Sequence, residues 1–168
     1  MAKLQDSIAI LLIMFLISTF ISLGAAVKPS ANGFVLKGKV YCDTCRSGFE
    51  TSVTNYIEGA KVKLQCKNAT THVLILTMDG TTDASGTYTM DIKDDYSDEV
   101  CSVELVSSPQ SDCKEMKKDR NSVQVMITEN SGMSSNVRYA NSLGFLRTQA
   151  MPICKKLMVK YKIGNGHH

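Results

Sequence analysis

The chain has 168 residues, and its 19 Lys and Arg side chains exceed its 16 Asp and Glu side chains by a net charge of +3. This length fits one domain with its own core and is too short for two typical domains. The charge excess is too mild for a nucleic-acid-binding protein, which needs a clustered, strongly basic face. The composition therefore predicts one folded domain that does not bind nucleic acid.

The first 26 residues predict a cleaved secretory signal. Lys3 precedes an apolar run from Ile8 to Leu23, and Gly24-Ala25-Ala26 supplies the small residues that signal peptidase accepts. The alternative is a transmembrane anchor, which needs about 20 apolar residues. Here the run has 16 residues and includes serine and threonine. We therefore expect residues 1–26 to be removed and residues 27–168 to form a single secreted domain outside the membrane.

All six cysteines lie beyond the predicted cleavage site, at Cys42, Cys45, Cys66, Cys101, Cys113 and Cys154. An even number of cysteines in an oxidising compartment predicts three disulfides and no free thiol. The spacing alone leaves the pairing open, because six cysteines can be joined in many ways.

Short segments with strand character recur from residue 31 onward. From Gly59 to Cys66, apolar residues alternate with Lys61, Lys63 and Gln65, a period of two that is typical of a half-buried strand. Further strand signals are found in residues 31–41, 72–78, 88–92, 100–106, 122–128 and 157–161, whereas residues 46–58 are predicted to be irregular. About seven short strands without long helical periodicity predict an all-β fold, a small disulfide-linked antiparallel β-sandwich or barrel.

Three patterns that resemble metal or redox sites lack the context that such sites need. Cys42-Asp43-Thr44-Cys45 has redox-motif spacing, but a redox site needs a helix start within a parallel βαβ arrangement that the sequence does not predict. Zinc needs a second closely spaced ligand pair, and the other four cysteines are single. The acidic residues Asp94, Asp95, Asp98 and Glu99 lack the ordered spacing and glycine of a calcium loop. We therefore predict no metal and no cofactor.

The sequence also nominates no catalytic residues. Its three histidines, His72, His167 and His168, have no nucleophile or orienting partner that chain order or context identifies. The acidic residues lie mostly in predicted loops, so no carboxylate pair stands out for glycoside hydrolysis. We therefore predict that the protein is not an enzyme.

Asn68-Ala69-Thr70 is the only Asn-X-Ser/Thr sequon downstream of the predicted cleavage site, and it follows the Cys66 strand in a predicted turn. In a secreted protein this sequon predicts a glycan on Asn68. The alternative is a plain hydrophilic turn.

Three segments together carry a family resemblance. They are Gly38-Lys39-Val40-Tyr41-Cys42-Asp43-Thr44-Cys45-Arg46 with the following Phe49-Glu50-Thr51, the strand from Gly59 to Cys66, and Asn141-Ser142-Leu143-Gly144-Phe145-Leu146 ahead of Cys154. These segments resemble the pollen Ole e I-type proteins, a plant group of secreted six-cysteine proteins. One departure is Lys37, where the family pattern usually has an acidic residue or glutamine. That change affects a surface contact and leaves the expected fold intact.

The resemblance implies disulfides that join Cys42 to Cys113, Cys45 to Cys154, and Cys66 to Cys101. It also implies a non-enzymatic extracellular or cell-wall protein that takes part in pollen-tube or tissue growth. The expected partner is a wall polysaccharide or a receptor ectodomain, and the protein is expected to be a monomer. A secreted small-ligand carrier and a wall-modifying enzyme are the alternatives.

Two basic groups flank cysteines and are candidates for contact with an acidic pectin. The first group is Lys114, Lys117, Lys118 and Arg120, and the second is Lys155, Lys156, Lys160 and Lys162. An ordinary solvated surface is the alternative for both groups.

Overall fold

The computed structural model describes residues 28–161. The predicted signal at residues 1–26 lies outside the described residues, as do Lys162, His167 and His168. The described chain forms ten strands, one short 3-10 helix and one short α-helix. The strands are β1 (Lys28–Asp43), β2 (Asn55–Tyr56), β3 (Lys61–Asn68), β4 (Leu74–Thr81), β5 (Thr87–Asp95), β6 (Glu99–Ser107), β7 (Cys113–Glu115), β8 (Ser122–Val125), β9 (Val137–Tyr139) and β10 (Leu143–Arg147). The 3-10 helix spans Glu129–Ser131, and the α-helix, α1, spans Cys154–Lys160.

Strand β1 is the centre of a six-stranded sheet. It pairs in antiparallel with β2 and β5 and in parallel with β9 and β10, while β7 pairs with β10. One strand can serve four partners because it is 16 residues long. Strands β5 and β9 pair with its first part, and β2 and β10 pair with its last part.

The second sheet has four antiparallel strands in the order β4-β3-β6-β8. Its central strand β3 shows why the alternating sequence forms a strand. Val62, Leu64 and Cys66 are fully buried, whereas Lys61 is exposed and Lys63 is partly exposed. Successive side chains of a strand point to opposite faces, so one face of β3 packs into the core and the other meets water.

One hydrophobic core contains side chains from both sheets. The six-stranded sheet contributes Leu36, Tyr88 and Phe145, and the four-stranded sheet contributes Leu64 and Val103. Each of these five side chains is completely buried. The all-β, disulfide-linked sandwich predicted from the sequence is therefore confirmed, with the difference that two strand pairs of the larger sheet are parallel.

All six cysteines form disulfides. The structure joins Cys42 of β1 to Cys113 of β7, Cys45 to Cys154 at the start of α1, and Cys66 to Cys101. The last pair lies on directly opposed positions of β3 and β6, with 4.0 Å between the α-carbons. These are the three pairs that the family resemblance implies.

The strand predicted for residues 157–161 is wrong, because this segment belongs to α1 and the turn that follows it. The backbone N–H of Leu157 donates to the Ile153 carbonyl at 3.1 Å, and that of Tyr161 donates to the Leu157 carbonyl at 2.9 Å. The buried or partly buried side chains of α1 are Cys154, Leu157 and Met158. Their spacing of three and four residues is the helical period, which five residues taken alone do not reveal.

Four short strands, β2, β7, β9 and β10, were not predicted from the sequence. They contain between two and five residues each. Three of them pair directly with β1, and β7 pairs with β10. Segments this short show too few alternations for a period of two, so their strand geometry depends on these partners.

We expect reduction of all three disulfides to unfold the protein, because each cross-link contributes on the order of 4 kcal/mol in the chain-entropy model. Their sum is comparable to the roughly 5–15 kcal/mol that stabilises a whole domain. The double variant Cys66→Ala/Cys101→Ala should lose about 4 kcal/mol of unfolding free energy and still fold, since β3 and β6 remain paired along their length. Urea unfolding followed by circular dichroism measures both effects. A fully reduced protein with the parent's unfolding midpoint would contradict the expectation.

Candidate functional site

The four residues of the first basic group are all exposed, but the structure separates them into two pairs. Lys117 and Arg120 line a cleft of about 250 Å³, whereas Lys114 and Lys118 do not. Lys117 and Arg120 belong to the connection between β7 and β8, and the backbone N–H of Arg120 donates to the Lys117 carbonyl at 3.0 Å. Both ends of this turn therefore contribute a cation to the lining of the cleft.

The other residues that line the cleft come from β1, from β8, and from β10 and the chain that leads into it. Tyr41 and Asp43 contribute from β1, and Asn141, Ser142 and Gly144 contribute from the chain that enters and forms β10. The parallel pairing of β1 with β10 sets Tyr41 directly beside Gly144. Two segments that are about one hundred residues apart in sequence therefore meet in one cleft, which we call the Tyr41 cleft.

The ring of Tyr41 lies against the backbone of Gly144. A β-carbon built on Gly144 would come within 2.6 Å of the Tyr41 ring, closer than real contacts allow, so the ring occupies space that only glycine leaves open. Tyr41 is buried, and burial raises the pKa of its phenol to about 12. Asp43 and Glu50 act in the same direction, whereas the positive charge of Arg120 opposes them. The phenol of Tyr41 therefore stays neutral at physiological pH.

Asp43 holds the turn beneath the cleft. Its side chain is buried, and one carboxylate oxygen accepts hydrogen bonds from the backbone N–H groups of Cys45 and Ser47, at 3.2 and 3.1 Å. The Ser47 hydroxyl donates to the same oxygen at 3.3 Å, and the Gly48 N–H donates to the other at 2.6 Å. Because its oxygens already accept four hydrogen bonds, the role of Asp43 is to fix the turn.

Gly48 makes room for Arg120. Its φ of +84° lies in the left-handed region that favours glycine. A β-carbon at this position would overlap a terminal nitrogen of the Arg120 guanidinium. The Arg120 side chain therefore lies directly over the turn that Asp43 fixes.

Arg46 is a basic residue that is already paired. Its two terminal nitrogens donate to the Glu115 carboxylate at 2.7 and 2.8 Å, and one of them also donates to the Arg147 carbonyl at 2.6 Å. Hydrogen bonding from Arg46 holds the pKa of Glu115 below its usual range. This arginine ties the turn after β1 to β7 and β10, so its charge does not contribute to an open basic surface.

The second basic group lies partly within the described structure. Lys155, Lys156 and Lys160 are exposed on α1, which the Cys45–Cys154 disulfide attaches to the turn after β1. None of the three lines the Tyr41 cleft. The fourth residue of the group, Lys162, is outside the described residues.

The patterns that resembled redox or metal sites have structural roles. Cys42 and Cys45 are joined to two different distant cysteines and not to each other. In the acidic group, Asp95 is buried and accepts hydrogen bonds from the Glu129 N–H at 2.8 Å and the Thr128 hydroxyl at 3.3 Å. Across residues 28–161, no three His, Cys, Asp or Glu side chains form a cluster that could hold a metal ion. Within the same range, no helix has the length and hydrophobicity to cross a membrane.

The sequon lies at the end of β3 and in the turn that follows it. Asn68 is half-buried, and its side-chain oxygen accepts hydrogen bonds from the backbone N–H groups of Thr70 and Thr71, at 3.1 and 2.9 Å. The hydroxyl of Thr71 donates to the same oxygen at 3.1 Å. Thr70, the third residue of the sequon, is exposed.

Sequence reasoning nominated Lys117 and Arg120 as candidates for a binding surface but did not nominate the other residues that line the Tyr41 cleft. Tyr41, Asn141 and Ser142 belong to the segments that carry the family resemblance, so a usable signal was present. The family resemblance showed that these polar residues lie in segments typical of the family. Their spacing along the chain did not show that the segments are adjacent in the fold.

The fold and the site define a three-disulfide β-sandwich with a cleft of mixed charge that residues of both sheets line. The sequence model of the family described as "Pollen protein Ole e 1 like" matches residues 32–162. The chain belongs to this family of pollen proteins.

Comparison with individual proteins gives the same result. The chain is 46% identical to pollen-specific protein C13 of Zea mays over 138 residues, which cover 82% of this chain and 81% of that protein. It is 41% identical to the Olee1-like protein of Betula pendula over 132 residues, or 77% and 80% of the two chains. Among solved structures, the major plantain pollen allergen Pla l 1 superposes with a TM-score of 0.63 at 27% identity, covering 71% of this chain and 97% of the allergen. None of these names denotes an enzyme.

Burial of Tyr41 predicts a pH dependence of stability. A phenol whose pKa is higher in the folded than in the unfolded protein stabilises the fold. That contribution is fully present when the pH is below the pKa of the unfolded protein's phenol, which is about 10. That contribution is lost as the pH rises through about 12. The unfolding free energy of the parent should therefore fall relative to that of Tyr41→Phe between about pH 10 and about pH 12, as measured by urea unfolding. At neutral pH the difference between the two proteins should not vary with pH, and a constant difference up to pH 12 would show that the phenol is not desolvated.

We predict a glycan on Asn68 in the plant secretory pathway. Thr70→Ala removes the sequon but keeps Asn68, so the secreted protein should lose the mass of one glycan, as Asn68→Gln also should. Thr70→Ser preserves the sequon and is the matched control. Mass spectrometry compares the secreted parent with the secreted Asn68→Gln variant. If their masses differ only by the mass of the substitution, the sequon is unused.

Proposed function

We propose that this protein is a secreted, non-enzymatic protein of the plant extracellular space that binds acidic cell-wall polysaccharide and takes part in pollen-tube or tissue growth. The observation that carries the proposal is the Tyr41 cleft, whose lining combines the cations Lys117 and Arg120 with neutral polar groups and with two carboxylates. Membership in a family of pollen proteins supports the setting. Cleavage of residues 1–26 would deliver the domain to that compartment as a monomer.

A polymer with repeated carboxylates suits an exposed basic surface better than a single small anion does. Each exposed Lys or Arg contributes little alone, because water and salt screen its charge. Contacts to successive carboxylates of one chain add together, since binding the first sugar raises the effective concentration of the next. Lys114 of β7 and Lys118 of the β7–β8 connection are exposed outside the Tyr41 cleft and can contribute in this way.

The carrier alternative has less support. A carrier of this fold would hold its ligand between the two sheets. The core residues there, including Leu36, Leu64 and Phe145, pack against one another and are fully buried.

The quadruple variant Lys114→Ser/Lys117→Ser/Lys118→Ser/Arg120→Ser should lose most of its retention on de-esterified pectin at low salt. The parent's retention should fall steeply between low salt and about 0.1 M salt, where the Debye length is near 10 Å. Affinity chromatography on pectin beads measures both effects. The fold should be unchanged, because three of the four positions lie outside the strands and all four are exposed.

The control is Lys155→Ser/Lys156→Ser/Lys160→Ser, which removes three exposed charges from α1 and none from the Tyr41 cleft. It should retain most of the binding, and fully esterified pectin should bind neither protein. If the quadruple variant binds de-esterified pectin as tightly as the parent, the basic connection is only a solvated surface. A receptor ectodomain then becomes the leading partner.

A further inference from the structure

We infer that the Tyr41 cleft recognises a single sugar acid of the polysaccharide, with Arg120 and Lys117 on its carboxylate and Asn141 and Ser142 on its hydroxyls. This inference rests on the proposed function and adds the unit that is recognised. It also divides the four basic residues into two that read the sugar acid and two that only attract the polymer.

The size of the cleft limits the ligand. Its volume is about 250 Å³, slightly below the roughly 300 Å³ at which pockets for drug-sized ligands begin. One six-membered ring with its substituents fits this space, whereas a disaccharide must extend beyond it. A polymer can therefore place one residue in the cleft and lay its neighbours along the exposed connection.

Arg120 is the arginine whose guanidinium is left for a ligand. Of the four arginines in the sequence, Arg46 pairs with Glu115, Arg147 pairs with Asp112 at 3.2 Å, and Arg138 is buried and donates to backbone carbonyls. Within residues 28–161, Arg120 has one ion pair, a long contact of 3.8 Å from its Nε to Asp119. Its terminal nitrogens keep the planar fork that binds a carboxylate through two parallel hydrogen bonds.

The neutral polar groups that line the cleft suit hydroxyls. Asn141 and Ser142 are exposed and lie just before β10, so the pairing of Leu143 with Val40 fixes their position. An amide and a hydroxyl can each donate and accept, as sugar hydroxyls also can. The neutral phenol of Tyr41 adds a third group of the same kind.

The balance of charge favours a monoanion over a phosphate. Two cations, Lys117 and Arg120, and two carboxylates, Asp43 and Asp119, line the same cleft. A phosphate dianion would meet repulsion from both carboxylates, because like charges at short range oppose binding. A sugar acid carries one negative charge and several hydroxyls, which matches a lining that contains cations together with neutral donors and acceptors.

The test compares two double variants that remove the same charge. Lys117→Ser/Arg120→Ser removes the cations of the cleft, and Lys114→Ser/Lys118→Ser removes those outside it. Titration calorimetry with a galacturonate trisaccharide should show at least about tenfold weaker binding for the first variant, since hydrogen bonds to charged groups are lost. The second variant should change the affinity by less than about twofold. The uncharged galactose trisaccharide should bind the parent much more weakly.

A variant that changes no charge tests the neutral polar groups of the cleft separately. Asn141→Ala changes no charge and lies in an exposed position, so it should leave the fold unaltered. It should weaken trisaccharide binding about threefold or more without changing the slope of log affinity against log salt. A change in the slope against log salt, or no change in affinity, would argue against recognition of the sugar hydroxyls by Asn141.

The pectin and trisaccharide measurements separate the two ideas. Suppose that the parent binds pectin, that both double variants bind pectin equally weakly, and that neither variant changes the affinity for the trisaccharide. The polymer proposal then holds, and recognition of a sugar acid by the cleft is wrong. If the parent binds the trisaccharide as expected but not pectin, the cleft reads free sugar acids and the polymer proposal fails. If the parent binds neither ligand, both are wrong.

Discussion

The hydrogen bonds of the buried Asp43 carboxylate are the interaction on which the turn beside the Tyr41 cleft depends. A carboxylate without partners would be expensive to bury, but here four hydrogen bonds from the following turn replace its water. The same turn carries Cys45 toward α1 and leaves Gly48 beneath Arg120. The Asp43 side chain therefore holds the turn that carries Cys45 of the Cys45–Cys154 disulfide and that packs against Arg120 of the Tyr41 cleft.

Two tyrosines explain why glycines occur in the segments that characterise the family. Tyr41 lies against Gly144, and Tyr88 lies against Gly38, where an added β-carbon would come within 2.2 Å of the Tyr88 hydroxyl oxygen. In both cases the ring and the glycine are direct neighbours on adjacent strands. The glycine gives up its own side-chain packing so that an aromatic ring can cover the strand beside it. The Tyr88 pair lies in the core, whereas the Tyr41 pair forms part of the cleft.

Sequence reasoning succeeded where the information was local. Strands β3 and β6 alternate over eight and nine residues, which is long enough for a period of two to be recognised. It failed at residues 157–161 because the helical period appears only when Cys154 is included. It also missed β9 and β10, whose parallel pairing with β1 is set by packing across the chain. The Tyr41 cleft could not be predicted for the same reason, since Tyr41, Arg120 and Asn141 become neighbours only in the fold.

The fold and the proposed ligand site place different demands on the sequence. Tyr41 and Gly144 lie on paired strands, so changing either one disturbs the sheet and the cleft together. Lys117 and Arg120 lie in a connection between strands, where charge can change with little effect on the core. A related protein can therefore keep the sandwich and the Tyr41–Gly144 pair while the cations of the β7–β8 connection differ. This is possible because function resides in sites carried by a fold. If the Tyr41 cleft binds the proposed ligand, ligand preference in such proteins should follow the residues of the β7–β8 connection more closely than it follows overall similarity.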